Sequence, residues 1–219
     1  MAMTLYAHKL SSYCQKALIG LYELEMPFDL RALSPATPDN FAALLRLWPF
    51  GKFPVLDDDG LVVPEASLII AHLDARAGGG RLLPTDPAAR REVLLMDRVF
   101  DNYVSTPQQK IVSDHMRADA RRDAQGVEEA RALIGTSYAW LDARLAGRAW
   151  AAGDAFGLAD CGAAPFLFYA DWVQPIGDGF PTLAAYLKRL RKRPSVARAI
   201  DEARPYRHMV PGGIPDHVT

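Results

Sequence analysis

Gly51-Lys52-Phe53-Pro54-Val55-Leu56, continued by Asp57-Asp58-Asp59-Gly60, Leu61-Val62-Val63 and Pro64-Glu65-Ala66-Ser67, is the stretch that decides the fold. The apolar runs Phe53 to Leu56 and Leu61 to Val63 flank an acidic turn ending in glycine, which is the pattern of a β-hairpin with a short loop. Pro54 has no N–H to give to a ladder, so it marks the start or the edge of its strand. From this segment alone two readings of Pro54 stay open. It is either a trans proline opening an edge strand, or a cis proline, because an X-Pro bond loses most of the usual trans preference. The cis form would turn the Phe53 backbone outward, leaving its N–H and C=O to pair with a group that is not protein.

Upstream, Met3 to Ala7 reads as a short apolar strand, and Ser11 and Ser12 are good helix caps. Cys14, Ala17, Leu18, Leu21 and Leu24 then recur at helical spacing, and the helix is expected to end before Pro27. Phe28 to Ala32 reads as a second strand, so the first part of the chain is a βαβ unit with parallel strands. Asp39 to Leu47 is a short helix ahead of the hairpin, and Leu68 to Arg76 a third helix with Glu65 at its start. The sum is a small mixed sheet with helices on its faces.

Downstream, Gly78-Gly79-Gly80 followed by Pro84 and Pro87 cannot continue a helix, and the domain change is placed there. Residues 1–77 form an α/β domain, 78–87 a linker and 88–219 a second, all-helical domain. Ala88 to about Met116 is a long helical stretch, interrupted or kinked at Thr106-Pro107. Helices follow over Val127 to Leu145, Leu158 to Val173, Thr182 to Leu190 and Ser195 to Ala203. The tail from Pro205 has no periodicity.

With 219 residues, half of them hydrophobic, the chain can bury a real core. Lys and Arg total 25 against 26 for Asp and Glu, a net charge of −1, which argues against a broad grip on nucleic acid or on an anionic membrane. No apolar run approaches a membrane span, and the N-terminus lacks the regions of a signal peptide, so a cytoplasmic location is expected. The two cysteines, Cys14 and Cys161, have no metal-ligand spacing and are expected as free thiols, with no metal site.

Two stretches carry candidate chemistry. At Ser11-Ser12-Tyr13-Cys14 a helix N-terminus presents unpaired N–H groups and a partial positive charge, which favour an anion such as a thiolate. Lowering a thiol pKa by about two units needs roughly 2.7 kcal/mol of preference for the thiolate. A serine hydroxyl together with the helix dipole is able to supply much of that; the plainer reading is that the serines only cap. At Glu65-Ala66-Ser67 a second helix start could hold a carboxylate on its N–H groups while Glu65 pairs with an amine. The plainer reading there is a glutamate balancing the helix dipole.

A capping serine after the first strand, a proline-led strand, a glutamate at the third helix and an all-helical second half together resemble the cytosolic glutathione transferases, in particular bacterial members with a serine-type active-site turn. The resemblance runs from Leu5 to about Arg207. It implies a thioredoxin-like α/β N-terminal domain plus an all-α C-terminal helical domain, the glutathione transferase fold. It places the catalytic hydroxyl at Ser11 and makes a cis Pro54 the favoured form, with the Phe53 backbone on the cysteinyl part of glutathione. Glu65 and Ala66 would hold the γ-glutamyl group, Ala66 standing where the family has serine, unless Ser67 replaces that hydroxyl. Lys52 would reach the glycyl carboxylate. Cys14 sits at the second position of a redox Cys-x-x-Cys motif whose first position here is Ser11. Phe156-Gly157-Leu158-Ala159-Asp160 resembles the capping segment of the buried sixth helix, with one reciprocal bond missing at Gly157. For the electrophile pocket the candidates are Tyr103, Thr106, Pro107, Gln108 and Lys110 on the long first helix of the second half, and Trp172, with Tyr103, Pro107 and Trp172 foremost. The implied function is transfer of glutathione, as co-substrate, to an electrophilic small molecule in a homodimer. The alternatives are a non-catalytic ligand- or partner-binding relative and a glutathione-dependent peroxidase or thiol oxidoreductase.

Overall fold

The computed structural model describes residues 3–215. Strands β1 (Met3–Ala7), β2 (Phe28–Ala32), β3 (Val55–Asp58) and β4 (Leu61–Pro64) form one sheet in the order β2-β1-β3-β4. β1 runs parallel to β2 and antiparallel to β3, and β3 pairs antiparallel with β4; Leu5 lies opposite both Leu30 and Leu56. The ladder starts at Val55 rather than Phe53, because Pro54 has no N–H to give. Asp57 and Asp58 belong to the strand, which leaves Asp59 (φ 57°) and Gly60 (φ 91°) as the two-residue loop. Positive φ at both central positions is what a tight hairpin requires, and Asp-Gly is among the sequences that best accept it.

Alternation along the strands divides the core. Met3, Leu5, Ala7 and Leu56 face helices α1 (Ser12–Glu23) and α3 (Ala66–Arg76) in the main apolar cluster. Tyr6 and Val55 face the other side, where α2 (Pro38–Leu47) brings Leu44. Every residue of α1 from Cys14 to Leu21 is buried, because the helix lies between the sheet on one side and α7 (Leu158–Val173) on the other. Its Gly20 is required by that packing: a Cβ there would come within 2.7 Å of Ile70.

The helical half continues with α4 (Pro87–Val99), a π-helical segment at Phe100–Ser105, α5 (Thr106–His115), α6 (Ala124–Arg144), α8 (Pro181–Arg191) and α9 (Pro194–Ala203). The irregularity expected at Thr106-Pro107 therefore begins six residues before α5, as a π-helix, with Pro107 in the first turn of α5 where its missing N–H is harmless. The carbonyl of Tyr103, four residues before Pro107, accepts from the Ser137 hydroxyl at 2.8 Å. Gly157 caps α7, and a Cβ at that position would come within 2.9 Å of the Leu82 carbonyl. Glycine thus admits the segment after α3, whose Leu82 carbonyl accepts from the Leu158 N–H at 2.8 Å. Asp160 accepts the Gly157 N–H at 2.9 Å, as the sequence suggested, and also the Ala151 N–H and the Tyr186 hydroxyl.

One ion pair ties α1 to α4. Lys16 and Asp97 are both about 1% exposed and bonded to each other, and Ser67 accepts from Lys16 at 2.7 Å while donating to Asp97 at 2.8 Å. Burial works to raise the Asp97 carboxyl. The Lys16 charge and the hydrogen bonds from Lys16, Arg98 and Ser67 outweigh it and hold the group below the ordinary carboxylate value. Among the described residues, no helix is long and apolar enough to cross a membrane.

Candidate active site

The first strand of the sheet leads into Ser11, which has extended backbone (φ −69°, ψ 127°) and caps α1 by accepting the Cys14 N–H at 3.4 Å. That bond uses an oxygen lone pair only. The Ser11 hydroxyl also lies against the Cys14 side chain, where its hydrogen bond works to lower the thiol pKa. Ser12 and Tyr13, at the first two helical positions, have N–H groups with no intrahelical acceptor.

Ser11 opens onto a cavity of about 780 Å³ between the sheet half and the helical half. This lies within the span of roughly 300–1,000 Å³ usual for small-molecule sites. Lys52, Phe53, Pro54, Glu65 and Ala66 line the same cavity, so all the residues expected to hold glutathione meet there. The Phe53-Pro54 peptide bond is cis. Glu65 sits at φ 69°, ψ 121°, a conformation that costs a non-glycine residue on the order of 1–3 kcal/mol. Its carboxylate caps nothing and has no partner among the described residues. The buried Ala66 follows as the first residue of α3. Ser67 does not stand in for the missing hydroxyl, because its oxygen is committed to Lys16, Asp97 and Arg98.

The helical wall departs further from expectation. Trp172 lines the cavity; Tyr103 and Pro107 do not. Tyr103 is half exposed elsewhere and Pro107 is packed in the core. Of the candidates on the long helix Gln108 does line it, while Thr106 and Lys110 are not among the lining residues, and Val112 and His115 follow Gln108 on the same face of α5, four and three residues apart. Pro107, one residue earlier, points about a quarter turn away. Arg131 of α6 and Tyr169 of α7 complete this side, and Val210, Pro211, Gly212 and Gly213 of the tail run along its edge.

Two further side chains went unread in the sequence. Tyr13 lies beside Ser11 and donates to Asp101 at 2.6 Å. Burial, and then that bond, push its phenol above the ordinary range, so its proton stays with the Asp101 contact. A tyrosine right after the capping serines and an aspartate in a helix of the second half were the only signals. Cys14 is fully buried, and burial pushes its thiol up to about 12. Cys161 is buried too and shifted in the same direction for the same cause. Neither supplies a thiolate near neutrality. Among the described residues no cluster of His, Cys, Asp or Glu has the makings of a metal site.

The family model described as Glutathione S-transferase, N-terminal domain matches residues 5–81, and that for the C-terminal domain residues 98–194. Glutathione S-transferase GstB of Escherichia coli K12 is 29% identical over 202 residues, covering 90% of this chain and 97% of its own. The stringent starvation protein A homolog of Pasteurella multocida is 28% identical over 207 residues, covering 93% and 92%. A crystal structure of a Methylobacterium radiotolerans glutathione S-transferase in complex with glutathione sulfonate superposes with a TM-score of 0.79 at 28% identity, covering 91% and 95%. By its fold and by both matched domains, the chain belongs to the glutathione S-transferase family.

Proposed function

We propose that the protein is a glutathione transferase in which Ser11 and the N-terminus of α1 stabilise the thiolate of bound glutathione for attack on an electrophilic small molecule. The observation that carries this reading is the meeting of Ser11, the cis Phe53-Pro54 bond and an unpartnered Glu65 in one cavity. Each has a distinct task. The Ser11 hydroxyl, which gives only a lone pair to the Cys14 N–H, turns its proton to the sulfur, and the α1 N–H groups favour the negative charge. Phe53 offers its peptide groups to the cysteinyl part, ahead of the ladder that starts at Val55. Glu65 pairs with the γ-glutamyl amine, while the first-turn N–H groups of α3 at Ala66 take its carboxylate. Lys52, exposed at the rim, meets the glycyl carboxylate. When the thiolate forms, the thiol proton passes to solvent. The sulfur then bonds to the electrophilic carbon, and the leaving group departs with the electron pair.

In this reading residues 1–77 bind glutathione, 78–87 link, and 88–219 build most of the second-substrate wall. The protein acts in the cytoplasm as a homodimer with both sites flanking the interface. A second reading, a ligand- or partner-binding member of the family without transfer activity, is favoured by one observation: Ala66 supplies no hydroxyl and Ser67 is committed elsewhere. Steady-state conjugation assays test the first reading. Ser11→Ala is expected to lower kcat about tenfold or more with glutathione affinity nearly unchanged, a loss of about 1.4 kcal/mol in the transition state. Unchanged turnover would remove Ser11 from the mechanism.

A further inference from the structure

The helical wall of the cavity sets polar groups among the apolar Val112, Trp172 and Val173. Gln108 is only 7% exposed, lines the cavity, and its amide has no hydrogen-bond partner among the described residues. That amide opens to the cavity and is available to a polar ligand. The Tyr169 hydroxyl accepts from Gln15 at 2.8 Å, so its own proton is unspent on the same wall. Trp172 lies one turn further along α7, with its indole N–H buried and unpaired. Arg131 anchors one nitrogen on the Val173 carbonyl, at 2.5 Å, at the C-terminal end of α7. No carboxylate pairs with this guanidinium among the described residues, and its remaining N–H groups are free for a planar oxyanion.

The charges of the cavity sort by side. Glu65 stands at the α3 start, and Asp101 is occupied by Tyr13 and by Arg98 at 2.8 Å. Around Gln108, Tyr169 and Arg131 the wall holds donors and a cation, with no unpaired carboxylate among the described residues.

We infer that Arg131, Gln108 and Tyr169 form a subsite for a carboxylate on the second substrate, so that the protein acts on acidic electrophiles rather than on purely apolar ones. The inference rests on the transferase reading only for what is done to the substrate; the preference for an anion is a separate property. With a chlorodinitrobenzoate as the acidic electrophile, the glutathione sulfur bonds to the ring carbon carrying chlorine. The C–Cl bond breaks, chloride leaves with the electron pair, and the carboxylate stays untouched on Arg131.

Binding of two unreactive probes, dinitrobenzoate and its methyl ester, measured calorimetrically with and without glutathione, tests this. The acid is expected to bind about tenfold more tightly than the ester, about 1.4 kcal/mol. That preference is expected to fall severalfold in both Arg131→Gln and Gln108→Leu, with ester affinity little changed in Arg131→Gln. Equal affinities in the unaltered protein, no binding of either probe, or a preference preserved in both variants would overturn the subsite. If the acid preference holds but glutathione neither binds nor reacts, the subsite stands and the transferase reading fails.

Discussion

The two walls of the cavity are built by different means. On the sheet side the backbone sets the groups: Ser11 as a cap with extended φ and ψ, Phe53-Pro54 ahead of a ladder, Glu65 at positive φ. On the helical side the side chains of three helices do the work, Gln108 from α5, Arg131 from α6, and Tyr169 and Trp172 from α7. A backbone-built wall suits a ligand that never changes. A side-chain-built wall can be rewritten residue by residue without moving the fold, which suits a variable second substrate. Beneath both, the buried Lys16–Asp97 pair joins the sheet half to the helical half.

The largest effect is expected where the walls are joined. Asp97→Asn leaves the Lys16 charge buried without its counter-ion and should destabilise the protein by about 3–5 kcal/mol, read by chemical denaturation. A loss below about 1 kcal/mol would mean that the halves are held by apolar packing alone. The same carboxylate gives a pH signature. Because its folded-state value lies below the ordinary 3.8, its stabilisation is complete above that value and is lost as pH falls through the lowered one. The acid limb of a stability–pH curve should therefore flatten in Asp97→Asn.

Within the sheet wall, Glu65→Gln removes the partner for an amine and should weaken glutathione binding by about 1.5–3 kcal/mol, measured by titration. An unchanged affinity would make Glu65 a structural residue held at a strained φ for another reason. Ala66→Ser acts in the opposite direction. Restoring a hydroxyl at the first position of α3 should strengthen binding by about 0.5–1.5 kcal/mol, and a weakened affinity would show that the pocket has already closed around alanine. The smallest effect belongs to Cys14→Ala, which should leave turnover within about twofold, since a thiol raised to about 12 by burial is no nucleophile near neutrality. Loss of activity there would revive the thiol-redox reading.

The same contrast explains what the sequence disclosed. A cap, a proline and a helix-start glutamate leave marks at fixed chain positions, so Ser11, Pro54 and Glu65 are legible in the amino-acid order itself. The strands are legible too, because apolar runs and turn residues carry them, although the structure takes Asp57 and Asp58 into β3 and shortens the loop to Asp59-Gly60. The sequence offers Pro107 and Gln108 alike for the second-substrate wall, because lining a cavity depends on helical phase, and one residue separates the buried Pro107 from the cavity-facing Gln108. Lys16 carries no local signal of its role. Its partner lies 81 residues away, and no short-range pattern announces such a pair. The sequence leaves open whether Ser67 replaces the hydroxyl absent at Ala66; tertiary structure turns it to Lys16 and Asp97 instead.

A glutathione thiolate stabilised at Ser11 is the step on which the proposed mechanism depends. It is tested most directly by the proton released when glutathione binds near neutral pH, obtained by calorimetry in two buffers of different ionisation enthalpy. The unaltered protein is expected to release most of one proton per site, because the bound thiol loses its proton to solvent, and Ser11→Ala to release far less at similar affinity. Binding without proton release, or the same release from both proteins, would contradict it.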